Sequence, residues 1–244
     1  MKKAIDNSII IILILCIIIF SINIAYIFKQ THRVTPSANI NNNSKTIILD
    51  AGHGGEDGGT IGLNNIIEKD LNLEITLKLQ KTLELMGYEI ILTRDSDVSI
   101  HDYNANTIRE KKKSDLNNRL KLIESTPNCI LISIHQNYFE QSKYKGLQVF
   151  YSINNAESKI IADTIQNKIK TGLQPDNKRI AKKLGAQSYI MANTNVPAVL
   201  IECGFLSNSI DVQNLTDEEY QKKLVYTISS SIVDYFKGDI YNNN

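Results

Sequence analysis

Residues 45–240 predict one α/β domain, a mostly parallel β-sheet sandwiched between layers of helices. Two observations carry this reading. Short β-branched, apolar runs alternate along the chain with amphipathic segments of helical period, the pattern of an α/β domain. The most apolar of these runs, residues 129–135 (CILISIH), is β-branched throughout, as a central strand buried on both faces would be. A further feature precedes the domain. Residues 8–28 are almost wholly apolar, and roughly 20 such residues suffice for a helix to cross a bilayer.

Taken in order, residues 1–7 form a short tail and residues 8–28 a transmembrane anchor. No A-x-A-like cleavage site follows the span, so an uncleaved anchor is expected rather than a removed signal peptide. Lys2 and Lys3 precede it and Lys29 and Arg33 follow it, which gives only a slight positive-inside bias. Residues 29–44 are polar, Asn-rich and aperiodic, a flexible linker that holds a solvated His32. The 244-residue chain is long enough for one domain with a full core plus accessories. Its formal charge of +1 gives no support for a nucleic-acid surface.

Within the domain, residues 46–50 (TIILD) read as a buried strand running into a loop that holds Gly52, Gly54, Gly55, Gly58 and Gly59, with His53 among them. Such a loop can bend sharply around a ligand. It lacks the Walker Lys-Ser/Thr ending and the GxGxxG spacing, and Glu56 and Asp57 would repel phosphate. Glu68 opens a helix whose core face is Leu71, Ile75, Leu79, Leu83 and Met86, with Gly87 as its C-cap. Residues 88–93 are the next strand. Residues 94–113 are polar, include His101, and end in the EKKK run of 110–113, read as a solvated face. A short amphipathic helix spans 115–124.

After the strand ending at His135 come a strand at 146–152 and a helix at 157–170. A basic helical face follows at 176–183, with Lys178, Arg179, Lys182 and Lys183, and then two short strands at 188–191 and 197–202. Thr216 and Glu219 suggest a capping box for a closing helix that runs to about residue 236. Of the three cysteines, Cys16 lies in the apolar span. Cys129 and Cys203 lie in predicted strands without CxxC spacing and read as buried thiols, with a pairing between them left open.

Four residues share one kind of position: His53, His135 and Glu202 at strand ends, and Glu68 at a helix start. Open α/β sheets place their sites at such ends. A single His in a glycine loop is more often a turn residue, and a single strand-end His can equally be a core residue bonded to a carbonyl. The carboxylate ending the buried run PAVLIE is costly unless it is paired or lies beside a metal. Two His and a carboxylate with an open fourth position would make a catalytic zinc set. Zinc would acidify water to a pKa of about 7 and polarise a carbonyl, and Glu202 could take and return the proton. Spacing alone does not show that the four residues converge, because no HExxH signature is present.

The segments LDAGHGGEDGG, EKDLNLEITLKLQKTLELMGYEIILTR, ISIHQN, GLQVFYS and PAVLIECGFLSN together resemble the zinc-dependent N-acetylmuramoyl-L-alanine amidases of the amidase-3 type. They occur in that family's order. The resemblance implies a three-layer α/β sandwich with a six-stranded sheet, one Zn2+ held by His53, Glu68 and His135, and Glu202 as the catalytic residue. The reaction implied is hydrolysis of the amide between N-acetylmuramic acid and L-alanine in peptidoglycan. Departures are Ala51, where the family often has Pro, and Gln136, where it often has a small residue; Gln136 is expected to narrow the cleft or alter substrate preference.

A bare catalytic domain behind an anchor is similar to the CwlD-type sporulation and germination amidases, which act on cortex peptidoglycan in the muramic-δ-lactam pathway. That resemblance implies a single-pass membrane protein with its catalytic domain outside the cytoplasm, facing the cortex. A membrane-associated regulatory protein that completes the zinc site is a further expectation. Asn137 is the candidate substrate contact, with loop capping as its other role, and Arg119 is expected to form a structural salt bridge. The remaining alternatives are a zinc peptidase cutting within stem peptides, a non-catalytic peptidoglycan-binding module, and an anchored adaptor with a structural zinc.

Overall fold

The computed structural model describes residues 46–242. The expected anchor at 8–28 and linker at 29–44 lie outside the described residues. No helix among the described residues is long and apolar enough to cross a membrane.

Six strands form one sheet: β1 (Thr46–Ala51), β2 (Ile90–Leu92), β3 (Cys129–Asn137), β4 (Gln148–Ser152), β5 (Lys182–Leu184) and β6 (Ala198–Phe205). Their order is β2-β1-β3-β6-β4-β5. The first four run parallel, and β4 turns the sheet by pairing antiparallel with β6, with β5 parallel to β4. The edge strands β2 and β5 have three residues each. Helices are α1 (Glu68–Leu85), α2 (Ile108–Ser125), α3 (Ala156–Gly172), α4 (Tyr189–Asn193), α5 (Ser209–Leu215) and α6 (Glu218–Asn242).

Strand alternation sorts the sheet side chains into two cores. Ile47, Leu49, Ile130, Ile132, Ile134, Val199, Ile201 and Cys203 face α1, α3, α5 and α6. Ile48, Cys129, Leu131, Ala198 and Leu200 face Ile123 of α2 and Ile190 and Met191 of α4. The result is the expected three-layer sandwich, thick on one face and thin on the other. Leu71, Ile75, Leu79 and Leu83 recur along α1 at helical spacing and are buried. Each contributes roughly 2 kcal/mol over an exposed aliphatic side chain. Met86 lies just past the helix and is 40 % exposed, so it is not part of that face. Gly87 ends α1 with φ 90°, and its N–H donates to the Glu84 carbonyl at 2.9 Å while that of Tyr88 reaches the Leu83 carbonyl.

Four local expectations are corrected. Residues 176–183 are not a helical face: Lys182 and Lys183 lie on edge strand β5. Residues 188–191 are not a strand, because the Ser188 side chain caps α4 by accepting from the Met191 N–H at 3.4 Å. Helix α2 begins seven residues before the expected start, at a capping box in which Thr107 and Glu110 exchange bonds. The N-terminus of α6 is capped by Asp217, which accepts from the Tyr220 N–H at 2.7 Å, whereas the Thr216 hydroxyl bonds back to Val212.

Candidate active site

The glycine loop leaves β1 at the carboxyl end of the sheet, where the Gly52 N–H still donates to the Ile134 carbonyl at 3.0 Å. His53 then takes φ 63°, a left-handed conformation that side-chain-bearing residues adopt rarely. Two buried arginines hold it there. Arg119 donates to the His53 carbonyl at 2.7 Å and the Ala51 carbonyl at 2.8 Å. Arg94 donates to the carbonyls of Ala51, Gly52 and Lys69. Beneath them, Asp50 accepts from Arg119, Thr93 and Ser133 at 2.6–2.7 Å. Arg119 therefore forms the expected salt bridges, to Asp50 and Asp115, and also clamps the loop backbone.

Glu68 is the first residue of α1 and is buried. Its Oε1 lies 3.2 Å from His53 Nε2 and 3.1 Å from His135 Nδ1. It also accepts from the Gln136 N–H at 3.1 Å, and its Oε2 accepts from the Thr60 N–H at 2.9 Å. The two imidazoles meet edge to face with ring centroids 5.1 Å apart. Donor atoms of His53, Glu68 and His135 all lie within 4.8 Å of one another. Ligands about 2 Å from a tetrahedral ion sit roughly 3.3 Å apart; the two Glu68–His separations match that spacing, and the donor types are those zinc takes.

The electrostatics agree. Burial alone would raise Glu68, but His135 and His53 hold its carboxyl well below the usual range. Burial lowers His53, yet its bonds to Asp57 and Glu68 hold it up to about 9. A divalent cation on these donor atoms competes with protons for them.

Packing is tight enough that glycine is required at two positions. A Cβ on Gly52 would lie 2.3 Å from the His135 ring, and one on Gly59, where φ is +67°, would lie 2.6 Å from Glu68 Oε2. Gly52→Ala is expected to push His135 aside and abolish tight metal binding in a chain that still folds, read as bound metal per chain beside an unchanged circular dichroism spectrum.

Glu202 stands directly beside His135 across the β3–β6 ladder. Just beyond, the register shifts: Asn137 pairs with Phe205, so β6 bulges where the site opens. Glu202 Oε2 is buried and finds no hydrogen-bond partner among the described residues. Burial and the negative charge of Glu68 push this carboxyl up to about 7 against the pull of the two histidines. Cys203 faces the opposite core, and it and Cys129 are free thiols.

The four residues line one open cleft of about 400 Å³, together with Asp57, Thr60, Lys112, Asn137 and Tyr138. Asn137 thus sits on the cleft wall, and its carbonyl accepts from the Leu206 N–H at 2.8 Å. Gln136 lines the cleft as well, but its amide donates to Asn72 of α1 at 3.2 Å. His101 bonds to Ser99 and is not part of the metal-capable cluster. None of Lys178, Arg179, Lys182 and Lys183 lines the cleft. Asp57, Lys112 and Tyr138 were not anticipated. Asp57 had a local signal, four residues after His53 in the glycine loop, whereas Lys112 arrives from a distant helix.

Residues 47–234 match the N-acetylmuramoyl-L-alanine amidase family. The germination-specific N-acetylmuramoyl-L-alanine amidase of Bacillus subtilis (strain 168) is 36% identical over 197 residues, covering 80% of this chain and 82% of that protein. The structure of the CwlD amidase from Clostridioides difficile, in complex with the GerS lipoprotein, matches with a TM-score of 0.76 and 43% identity over 79% of this chain and 98% of that one. An N-acetylmuramoyl-L-alanine amidase from Clostridium difficile 630 matches with a TM-score of 0.69 and 29% identity over 80% of this chain and 98% of its own. Sequence and fold agree, and the chain belongs to the N-acetylmuramoyl-L-alanine amidase family.

Proposed function

We propose that this amidase is zinc-dependent and acts on spore-cortex peptidoglycan, with His53, Glu68 and His135 as metal ligands and Glu202 as the proton-transfer residue. The observation that carries the reading is the convergence of three metal-capable side chains within 4.8 Å, with an unpartnered carboxylate oxygen beside them in the same cleft. When bound there, zinc supplies a Lewis acid that acidifies water and polarises the scissile carbonyl.

The chain supplies the rest. Glu68, braced by Thr60 and Gln136 backbone N–H groups, keeps the two imidazoles at fixed separation. Glu202, ionised, accepts a proton from the attacking water as the water oxygen bonds to the lactyl carbonyl carbon. It then gives that proton to the nitrogen of L-alanine as the C–N bond breaks. The products are a muramic acid carboxylate and a stem peptide with a free amino terminus.

The sporulation role rests on the germination-specific relative and on the CwlD amidase. Because that CwlD amidase is seen with a lipoprotein, we infer a membrane-associated protein partner for this chain too. Residues 8–28 then serve as a single-pass anchor, with the domain outside the cytoplasm facing the cortex.

Digestion of purified peptidoglycan by the full chain, followed by mass spectrometry, tests the reaction. The expected products are whole stem peptides beginning with L-alanine, lost on chelation and restored by zinc. Peptides truncated within the stem, or new reducing sugar ends, would assign a different bond.

A further inference from the structure

We propose that Asp57 is a positioning residue that orients His53 for metal binding, and that Lys112 of α2 holds Asp57 in place. The inference deepens the proposed function and rests on its ligand set. An imidazole can present only one nitrogen to a metal, and the partner of the other nitrogen selects which. Here His53 Nδ1 lies 3.1 Å from Asp57 Oδ2, while Nε2 faces Glu68 Oε1 at 3.2 Å. Asp57 is thus on the far side of the ring from the other donors and is not among the metal-capable cluster. With a carboxylate accepting at Nδ1, the proton stays on that nitrogen and the Nε2 lone pair is left for the cation.

Asp57 is itself held on both oxygens. Oδ1 accepts from the Gly59 N–H at 3.2 Å, and Oδ2 also meets Lys112 Nζ at 3.1 Å. The neighbouring pair, Glu56 with Lys111, ties the same loop to the same turn of α2. The Lys-rich run at the start of α2 is therefore a strap across the metal loop rather than a free solvated face. Its contribution through Lys112, half exposed, is screened by salt; that of Asp57, closer to the ligand, is screened less.

The test is the affinity of the metal-free full chain for zinc alone, measured in competition with a chromophoric chelator. Asp57→Ala is expected to weaken binding by about 10- to 100-fold. Asp57→Asn, which keeps an acceptor for the Nδ1 proton, is expected to recover part of that loss. Lys112→Gln should cost roughly two- to fivefold, an effect that shrinks at high salt. In nitrogen-15 spectra of the zinc-loaded protein, His53 should carry its proton on Nδ1 and its metal on Nε2. Unchanged zinc affinity in both Asp57 variants, or His53 ligated through Nδ1, overturns the proposal. His53→Ala separates the two readings: if it abolishes zinc binding while the Asp57 variants do not, only the positioning role fails. If it too leaves zinc affinity intact, the ligand set itself fails.

Discussion

Glu202→Gln is expected to lower peptidoglycan hydrolysis by about 10²–10⁴-fold while the protein still takes up one metal ion. The amide keeps the shape of the carboxylate but cannot accept the proton of the attacking water. A second readout does not depend on turnover. Burial pushes Glu202 up to about 7, so in the metal-free protein its contribution to stability is fully present below the unfolded value of about 4.5. That contribution is lost as pH rises through about 7, where the folded chain is forced to carry the buried charge. The glutamine variant has no charge to bury. Metal-free Glu202→Gln should therefore be more stable than the parent above neutrality, by an amount on the order of 3 kcal/mol, and indistinguishable from it near pH 4. A bound cation favours the ionised form, so the acid limb of the parent's rate lies below neutrality. A variant that remains active, or gains nothing in urea unfolding at alkaline pH, would remove Glu202 from this role.

The second large effect belongs to the floor of the site. Arg119→Ala should destabilise the domain by about 3–5 kcal/mol, because it strands Asp50 as a buried charge without its counterion. Against a typical total of roughly 5–15 kcal/mol, such a loss leaves the fold marginal. Burial alone would raise Asp50, and the Arg119 guanidinium is the main influence holding it down at about 2. The stability it contributes is therefore present above its unfolded value near 4 and is lost only as pH falls through about 2. In the Arg119 variant the acid limb should move to higher pH. Adding Asp50→Asn should recover part of the loss, since the orphaned charge is then gone. Urea titrations across that pH range measure all three effects.

The parts of this fold that were legible in the sequence are those fixed by local burial. β1, β3 and β6 are continuous apolar runs because both of their faces are covered, and α1 carries an unbroken aliphatic stripe. The four site residues were legible because each sets a polar group in or beside a buried apolar element: His53 follows β1 and Glu68 opens α1, whereas His135 and Glu202, expected at strand ends, lie inside β3 and β6, which run on to Asn137 and Phe205. What was missed depends on contacts between distant segments or on a single local cap. β5 is an edge strand of Lys182, Lys183 and Leu184 with no buried alternation, so it carries no strand signal. The run from Ser188 is apolar enough for a strand, yet Ser188 capping turns it into α4. The first turns of α2 are charged because they cross the metal loop, and Lys112 joins the site from 55 positions beyond Asp57, a distance no local pattern spans.

The same short edges have a bearing on how these molecules behave when crowded. An exposed strand edge is a template on which a second chain can pair, and aggregation starts there. β2 and β5 offer only three residues apiece, and two of the three in β5 are exposed lysines. Two copies brought edge to edge would gain few main-chain bonds, and a β5–β5 pairing would also set lysines side by side. The margins of the sheet thus offer a second chain little to pair with, while the wide interior that aims the four site residues keeps its main-chain bonds within the sheet.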